Sequence, residues 1–359
     1  LESRYGERGS SIVWALLVEL GSLVLAFPRG PSVRLVESYA PLCENPFTTH
    51  AIGEPALRLR LLGPLMAYAM GLRGMSGAAV PLIANVALLA CAHSLLRTHL
   101  PKPQAGLAVA LLGTTLVTLT SQHWLGYQDS LASLGILLTI VVASPSASVP
   151  ILALAMFADE RAAAAVPLVL TWRVIIMGES VLSKAFLKRC ACLGLAILAW
   201  FLTTRALLRS LGNRGFDDLV SEVLGGKYLR VQYEYAPLGL YYAFRAAWLL
   251  PLLAIVRLLS ERRTGWLLIL LAGLAAVAIP AVLVLDMSRV MSYSFPALLI
   301  AIVVLARFDS AALRTYLLCA LLLNVAILPI YQVVGTRFRP LSPMPLSLAR
   351  MAYLLYRDH

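Results

Sequence analysis

Residues 264–285, TGWLLILLAGLAAVAIPAVLVL, run for 22 positions without a charge, between Glu261-Arg262-Arg263 on one side and Asp286-Met287-Ser288-Arg289 on the other. Wound as a helix at 1.5 Å per residue, such a run covers about 33 Å, the thickness of the hydrocarbon layer of a bilayer. The run is apolar all the way round, so it has no polar face to turn to water. Helices satisfy every backbone group inside lipid without an open edge, and an all-α, polytopic membrane fold follows from the run itself.

Working outward, similar runs fill the chain at 11–27, 77–96, 104–121, 129–144, 147–159, 161–178, 190–208, 237–256, 290–306 and 312–331, giving about eleven expected spans. No long polar linker separates them, which predicts a single transmembrane domain over 1–359. Between the spans, 28–76 reads as a first external loop, 209–236 as an external segment and 332–359 as an external tail. The stretch from Pro55 to Gly71 is also apolar, but Arg58 and Arg60 suit a helix lying in the interface. With that assignment the short basic loops all fall on one side: Arg97 and Lys102, Lys184 with Lys188 and Arg189, Arg257 with Arg262 and Arg263, Arg307 and Arg314. The positive-inside rule makes that side cytoplasmic, places the N-terminus there too, and predicts a bacterial-type inner-membrane protein. The first run lacks a small-residue cleavage site and reads as a retained span.

Composition excludes other classes. Hydrophobic residues make up 60% of the chain and charged ones 13%, about half the usual share for a soluble domain. The net charge of +12 is spread in twos and threes at span ends, a topogenic pattern that argues against a nucleic-acid partner. Cys43, Cys91, Cys190, Cys192 and Cys319 lack the paired spacing of a metal site, and no disulfide is implied.

The acidic residues gather on the side opposite the basic loops. Glu37, Glu44 and Glu54 lie in the first external loop, Asp129 opens one span, Asp159 and Glu160 sit in one turn, and Asp286 ends another. Each has a basic or aromatic neighbour: His50 and Arg58 around Glu54, His123, Trp124 and Tyr127 before Asp129, Arg161 beside Glu160, Arg289 three residues after Asp286. Carboxylates, guanidinium groups and aromatic rings together suit a phosphorylated or glycosylated substrate. A second reading stands beside this one, since Asp at a helix start caps free N–H groups and complements the dipole, and Asp286 with Arg289 is a neutral pair. Glu19 lies in the middle of the first span, where it must face protein or carry a proton.

The order of these features resembles the GT-C superfamily of integral-membrane glycosyltransferases, which use polyprenyl-phosphate-linked sugars. The matching elements are the loop from Glu37 to Glu54, the run PALRLRLLGPLMAYAMGLRG from Pro55 and SQHWLGYQD ending at Asp129, within the first 145 residues. No Asp-x-Asp or adjacent Asp-Glu pair occurs in the first external loop. The resemblance implies a GT-C-like bundle with interfacial helices in that loop, a polyprenyl-phosphate-sugar donor held among membrane lipid, and sugar transfer on the non-cytoplasmic face. In that scheme Glu37 or Glu54 is the general base, Asp129 and Asp159 support it or hold a divalent cation, and Arg58, Arg161 or Arg289 meets the donor phosphate. His50, His123, Glu160 and Asp286 complete the expected substrate-binding set. A transporter or flippase for a lipid-linked or anionic solute is the competing expectation, and a non-catalytic subunit of a membrane complex is the third.

Overall fold

The structure is a computed structural model that describes residues 2–29, 35–48, 57, 59–210 and 232–349. Glu54, Arg58 and His50 lie outside the described residues, as do most of the expected external segment and the end of the tail. The described chain is almost wholly helical. It begins with α1 (Glu2–Leu25), a π-helical turn (Leu35–Tyr39), α2 (Ala40–Glu44), α3 (Leu62–Ala69) and α4 (Ala79–Arg97). α5 (Lys102–Gly113), α6 (Leu116–His123), α7 (Asp129–Val141), α8 (Ser148–Ala158), α9 (Val166–Ile175) and α10 (Lys184–Ser210) follow. The second half holds α11 (Ala236–Phe244), α12 (Leu249–Ser260), α13 (Thr264–Leu283), α14 (Met287–Ser292), α15 (Phe295–Phe308) and α16 (Ser310–Ala326), then strands β1 (Ile330–Val334) and β2 (Arg337–Leu341).

Five helical segments among the described residues are long and apolar enough to cross a membrane: Gly74–Arg97, Lys184–Leu207, Tyr233–Ser260, Thr264–Leu283 and Met287–Phe308. A sixth follows if α5 and α6, bent by 50° at their junction, count as one broken span. The other expected runs are helical but shorter. Gly9–Leu25, Asp129–Val141, Ser148–Ala158 and Ser310–Ala326 fall below that length, and the run 161–178 is divided between a 3-10 turn (Glu160–Ala165) and α9. α7 and α8 rise only about 20 and 17 Å, short of a full bilayer; α7 is mostly buried, whereas α8 leaves Pro150 and Leu154 exposed. The two helices approach so closely that a Cβ on Gly135 would lie 2.5 Å from Ala155 Cβ, the small-residue contact of membrane helices. α3, the described helix of the Pro55–Gly71 stretch, has eight residues and rises about 12 Å, too little to cross a bilayer.

Two expectations need correction. The fold is not purely helical, because an antiparallel hairpin, in which Ile330 pairs with Leu341 and Val334 with Arg337, takes the last two residues of the expected run 312–331 and the start of the expected tail. The IYQVV stretch is β-branched and aromatic, and its pairing with β2 competes successfully with helix. The expected external segment also ends early, since helical structure resumes at Gln232 and continues through Tyr233–Ser260.

Arginines close the exposed carbonyl ends of buried helices. Arg173 donates to Ile140 O at 2.8 Å and also to Val142 O, and Arg189 donates to Ala143 O at 2.6 Å, so both serve the C-terminus of α7. Arg307 does the same for α9 through Ile175 O and Ile176 O. Arg245 joins two helix ends at once, donating to Thr114 O at the end of α5 and to Asn324 O and Ile327 O at the end of α16. Its φ of +52° with ψ of −123° is a conformation that favours glycine and costs a residue with a Cβ about 1–3 kcal/mol. The three bonds to otherwise orphaned carbonyls offset that cost.

Candidate functional site

α7 begins where α8 ends. Asp129 is the first residue of α7, and Asp159 follows the last residue of α8, so the antiparallel pair brings both carboxylates to one end of the bundle. α13 leads to Asp286 at the same end, and α14 places Arg289 one turn further on.

Arg289 is the centre of the arrangement. Its Nε and Nη2 donate to Asp129 Oδ1 and Oδ2 at 3.0 and 2.8 Å, a bidentate pair, while Nη1 donates to Asp286 Oδ2 at 2.6 Å. Asp159 Oδ2 lies 3.6 Å from Arg289 Nη2. The ring of Tyr127 lies 4.0 Å from the guanidinium carbon, and the Tyr293 hydroxyl donates to Asp129 Oδ1 at 3.4 Å. The capping reading of Asp129 is therefore set aside: the N-cap is Gln128, and the Asp129 carboxylate faces Arg289.

Asp159 does both things that the sequence allowed. Its Oδ1 accepts from Arg161 N at 3.1 Å, capping the 3-10 turn, and from Arg161 Nε at 2.7 Å, while Oδ2 accepts from Arg161 Nη2. Arg161 thus pairs with Asp159 rather than with its neighbour Glu160. Glu160 instead takes a bidentate pair from Arg60, through Nε at 2.9 Å and Nη2 at 2.6 Å, and Arg60 Nη2 lies 3.7 Å from Asp159 Oδ1. Gln128 fixes the loop that carries Arg60, donating to Arg60 O at 2.7 Å and accepting from Gly63 N at 2.8 Å. On the far side, Gln332 of β1 donates to both oxygens of Asp286 at 2.9 and 3.0 Å, and Ser288 Oγ accepts from Val333 N. The hairpin is a wall of the site.

Seven charges from four separate stretches of chain thus make one network. Four carboxylates face three guanidinium groups, a formal excess of one negative charge. Burial is graded across it, with side-chain exposure of 1% at Asp129 and Asp159, 3% at Arg289, 16% at Asp286 and 26% at Glu160. Burial alone would raise the Asp159 carboxyl, but Arg161, Arg60 and Arg289 outweigh it and hold the group below the usual carboxylate range. Burial would likewise lower the Arg60 and Arg161 guanidiniums, and the carboxylates beside them reverse that too.

Other expected members do not join. Glu37 is exposed on the π-helical turn. His123 is buried, its Nδ1 lies 2.7 Å from Phe27 O, and its ring meets Trp124 edge-on. No three His, Cys, Asp or Glu side chains come together as metal ligands among the described residues; within the network the carboxylates face arginines. Arg60, Tyr293 and Gln332 are additions. Tyr293 had a signal in the sequence, four residues after Arg289 on one helix face. Arg60, which the sequence marked only as an interfacial arginine, comes from a remote loop and Gln332 from strand β1, and no local spacing ties either to the site.

The chain matches no protein-family model, no curated protein and no solved structure. Its chemistry therefore rests on the geometry. A buried ion pair contributes little net stability compared with a well-packed apolar substitute, so a network of seven charges is weak as a device for stability alone. Asp129 and Asp159 have their oxygens taken up by arginine and are poor proton acceptors as they stand. The outer members are held too, Glu160 by Arg60 and Asp286 by Arg289 and Gln332, and they differ from the inner pair in being partly exposed.

Proposed function

We propose that the chain is a multi-pass inner-membrane glycosyltransferase that moves a sugar from a polyprenyl-phosphate-linked donor to an acceptor on the non-cytoplasmic face. The observation that carries this reading is the convergence of Arg60, Arg161 and Arg289 with Asp129, Asp159, Glu160 and Asp286 at one end of an apolar bundle, graded from buried to open. Such a place lets a prenyl tail lie in lipid while its phosphate meets guanidinium groups at the membrane edge. All eleven apolar runs belong to the membrane domain in this reading, the short α7, α8 and α9 included.

The other end of the same helices supports an orientation. α7 runs from Asp129 toward Arg173 and Arg189, and α15 runs from the site toward Arg307, so the basic end lies opposite the network. The positive-inside rule puts that end, and the N-terminus, in the cytoplasm. Arg60 and Arg161, on the less buried side, receive the donor phosphate, while Glu160 or Asp286 takes the proton of the acceptor hydroxyl. Asp129 and Asp159 hold the arginines in place. Glu37, exposed on the first external loop, moves from base to acceptor contact.

The test is transfer of a labelled sugar from polyprenyl phosphate by the reconstituted full chain. Asp286→Asn is expected to lower the rate by about 10²–10⁴-fold, the usual loss on removing a positioned acid or base. Transfer at the wild-type rate by both Asp286→Asn and Glu160→Gln would remove the enzyme reading. The transporter reading has an observation of its own, the 50° break between α5 and α6 at Gly113–Leu116, because discontinuous helices build transporter sites. Movement of a labelled lipid phosphate between leaflets, with no transfer, would favour it.

A further inference from the structure

α1 and α4 pack antiparallel and share two polar rungs. Ser11 Oγ lies 2.9 Å from His93 Nδ1, and eight residues along each helix Asn85 Nδ2 donates to Glu19 Oε2 at 2.9 Å. Gln122 of α6 closes the second rung, its Nε2 lying 3.4 Å from Glu19 O. Glu19 is 8% exposed, and Asn85 and Gln122 are fully buried.

The rung is short of a donor. Asn85 Oδ1 and Gln122 Oε1 are both buried without a hydrogen-bond partner, and an ionised carboxylate has no hydrogen to offer them. Among the described residues, no cation pairs with Glu19. The titratable groups on the helices packed against α1 are Cys91, His93 and Arg97 on α4, Lys102 at the start of α5, and His123 on α6. His93 sits about 12 Å along α4 from Asn85. His123 is turned to Phe27 O, away from the rung.

We infer that Glu19, Asn85 and Gln122 form a proton-binding site inside the bundle, occupied at neutral pH, in which the Glu19 carboxylic acid donates to a neighbouring amide oxygen. The proton comes from water and returns to water. One proton turns an acceptor-only group into a donor and removes a bare charge from an apolar surrounding, two costs settled together. The amide oxygen and nitrogen of either side chain can exchange places by a flip, so the acid has a partner in each setting. Binding of that proton clamps α1 to α4 and α6, and its loss would leave an uncompensated negative charge between them. The site is independent of the network around Arg289.

Infrared spectroscopy of the full chain in lipid nanodiscs tests this at neutral pH, as the difference between wild type and Glu19→Gln. A protonated-carboxyl band that is lost in Glu19→Gln and shifts in heavy water is expected. Asn85→Leu, which removes one acceptor, should move that band to higher frequency and guards against poor folding of the first variant. Raising pH from neutral should lower the melting temperature of the wild type more than that of Glu19→Gln, because the folded wild type holds a proton that the unfolded chain releases. A carboxylate band in place of the acid band would overturn the inference. So would stabilisation of the wild type, but not of Glu19→Gln, by sodium at fixed pH, which would make the site one for a metal cation.

Discussion

At the scale of single residues, Asp129 separates two accounts of the same position. An N-cap tolerates Asn about as well as Asp, whereas removing one partner of a buried ion pair leaves the other charge stranded and costs about 3–5 kcal/mol. Asp129→Asn is therefore expected to lower stability by that larger amount, measured by thermal or denaturant unfolding in detergent. A loss below about 1 kcal/mol would return Asp129 to the capping role. Asp159 carries a pH dependence of definite sign. Its carboxyl is held low in the folded state by Arg161, Arg60 and Arg289, so its contribution is present above the ordinary carboxylate range and lost as pH falls through and below it. Acid should destabilise the wild type more steeply than Asp159→Asn. The sequence made Asp129, Asp159, Glu160, Arg161, Asp286 and Arg289 legible, since charge beside apolar runs is costly and stands out. It could not pair them, because Arg60 meets Glu160 across a hundred positions and no local spacing records that.

Elements were legible where the apolar signal was long. The run 264–285 contains α13 almost end to end, and 77–96 and 290–306 fall within Gly74–Arg97 and Met287–Phe308. Breaks were harder to see. α5 and α6 are divided at Thr114 and Thr115, and α11 ends before Arg245, in both cases because Arg245 and Asn324 supply bonds that a continuous helix would have made itself. Asn324→Leu removes an oxygen that accepts from Ala246 N and an amide that donates to Thr114 Oγ1 and Phe244 O. Leaving such buried groups unpaired costs about 1–3 kcal/mol each, so a clear fall in melting temperature is expected. The hairpin was invisible because Ile330 and Tyr331 continue the hydrophobicity of the run before them, and pairing with β2 is a tertiary choice. Close packing gives a sharper test. Gly135→Leu would force α7 away from Ala155 on α8, and loss of folded protein on size-exclusion chromatography is expected, with Gly135→Ala milder.

For the whole molecule, the account is a helical bundle with a basic end stitched by arginine caps and an opposite end holding the charge network under the hairpin. A single cysteine placed at Arg262 should resist an impermeant thiol reagent in intact cells, and one placed at Thr336 should react. The composition made the membrane class plain from the start, but net orientation depended on one apolar stretch, Pro55 to Gly71, whose described helix is too short to cross. The most direct test of the central claim is the initial rate of sugar transfer from polyprenyl phosphate to an impermeant acceptor outside sealed right-side-out vesicles, for wild type, Glu160→Gln and Asp286→Asn. The account predicts transfer by the wild type and a rate about 10²–10⁴-fold lower for at least one variant, measured at a temperature where all three chains are folded. Equal rates for all three chains, or transfer only when the acceptor is sealed inside, would contradict it.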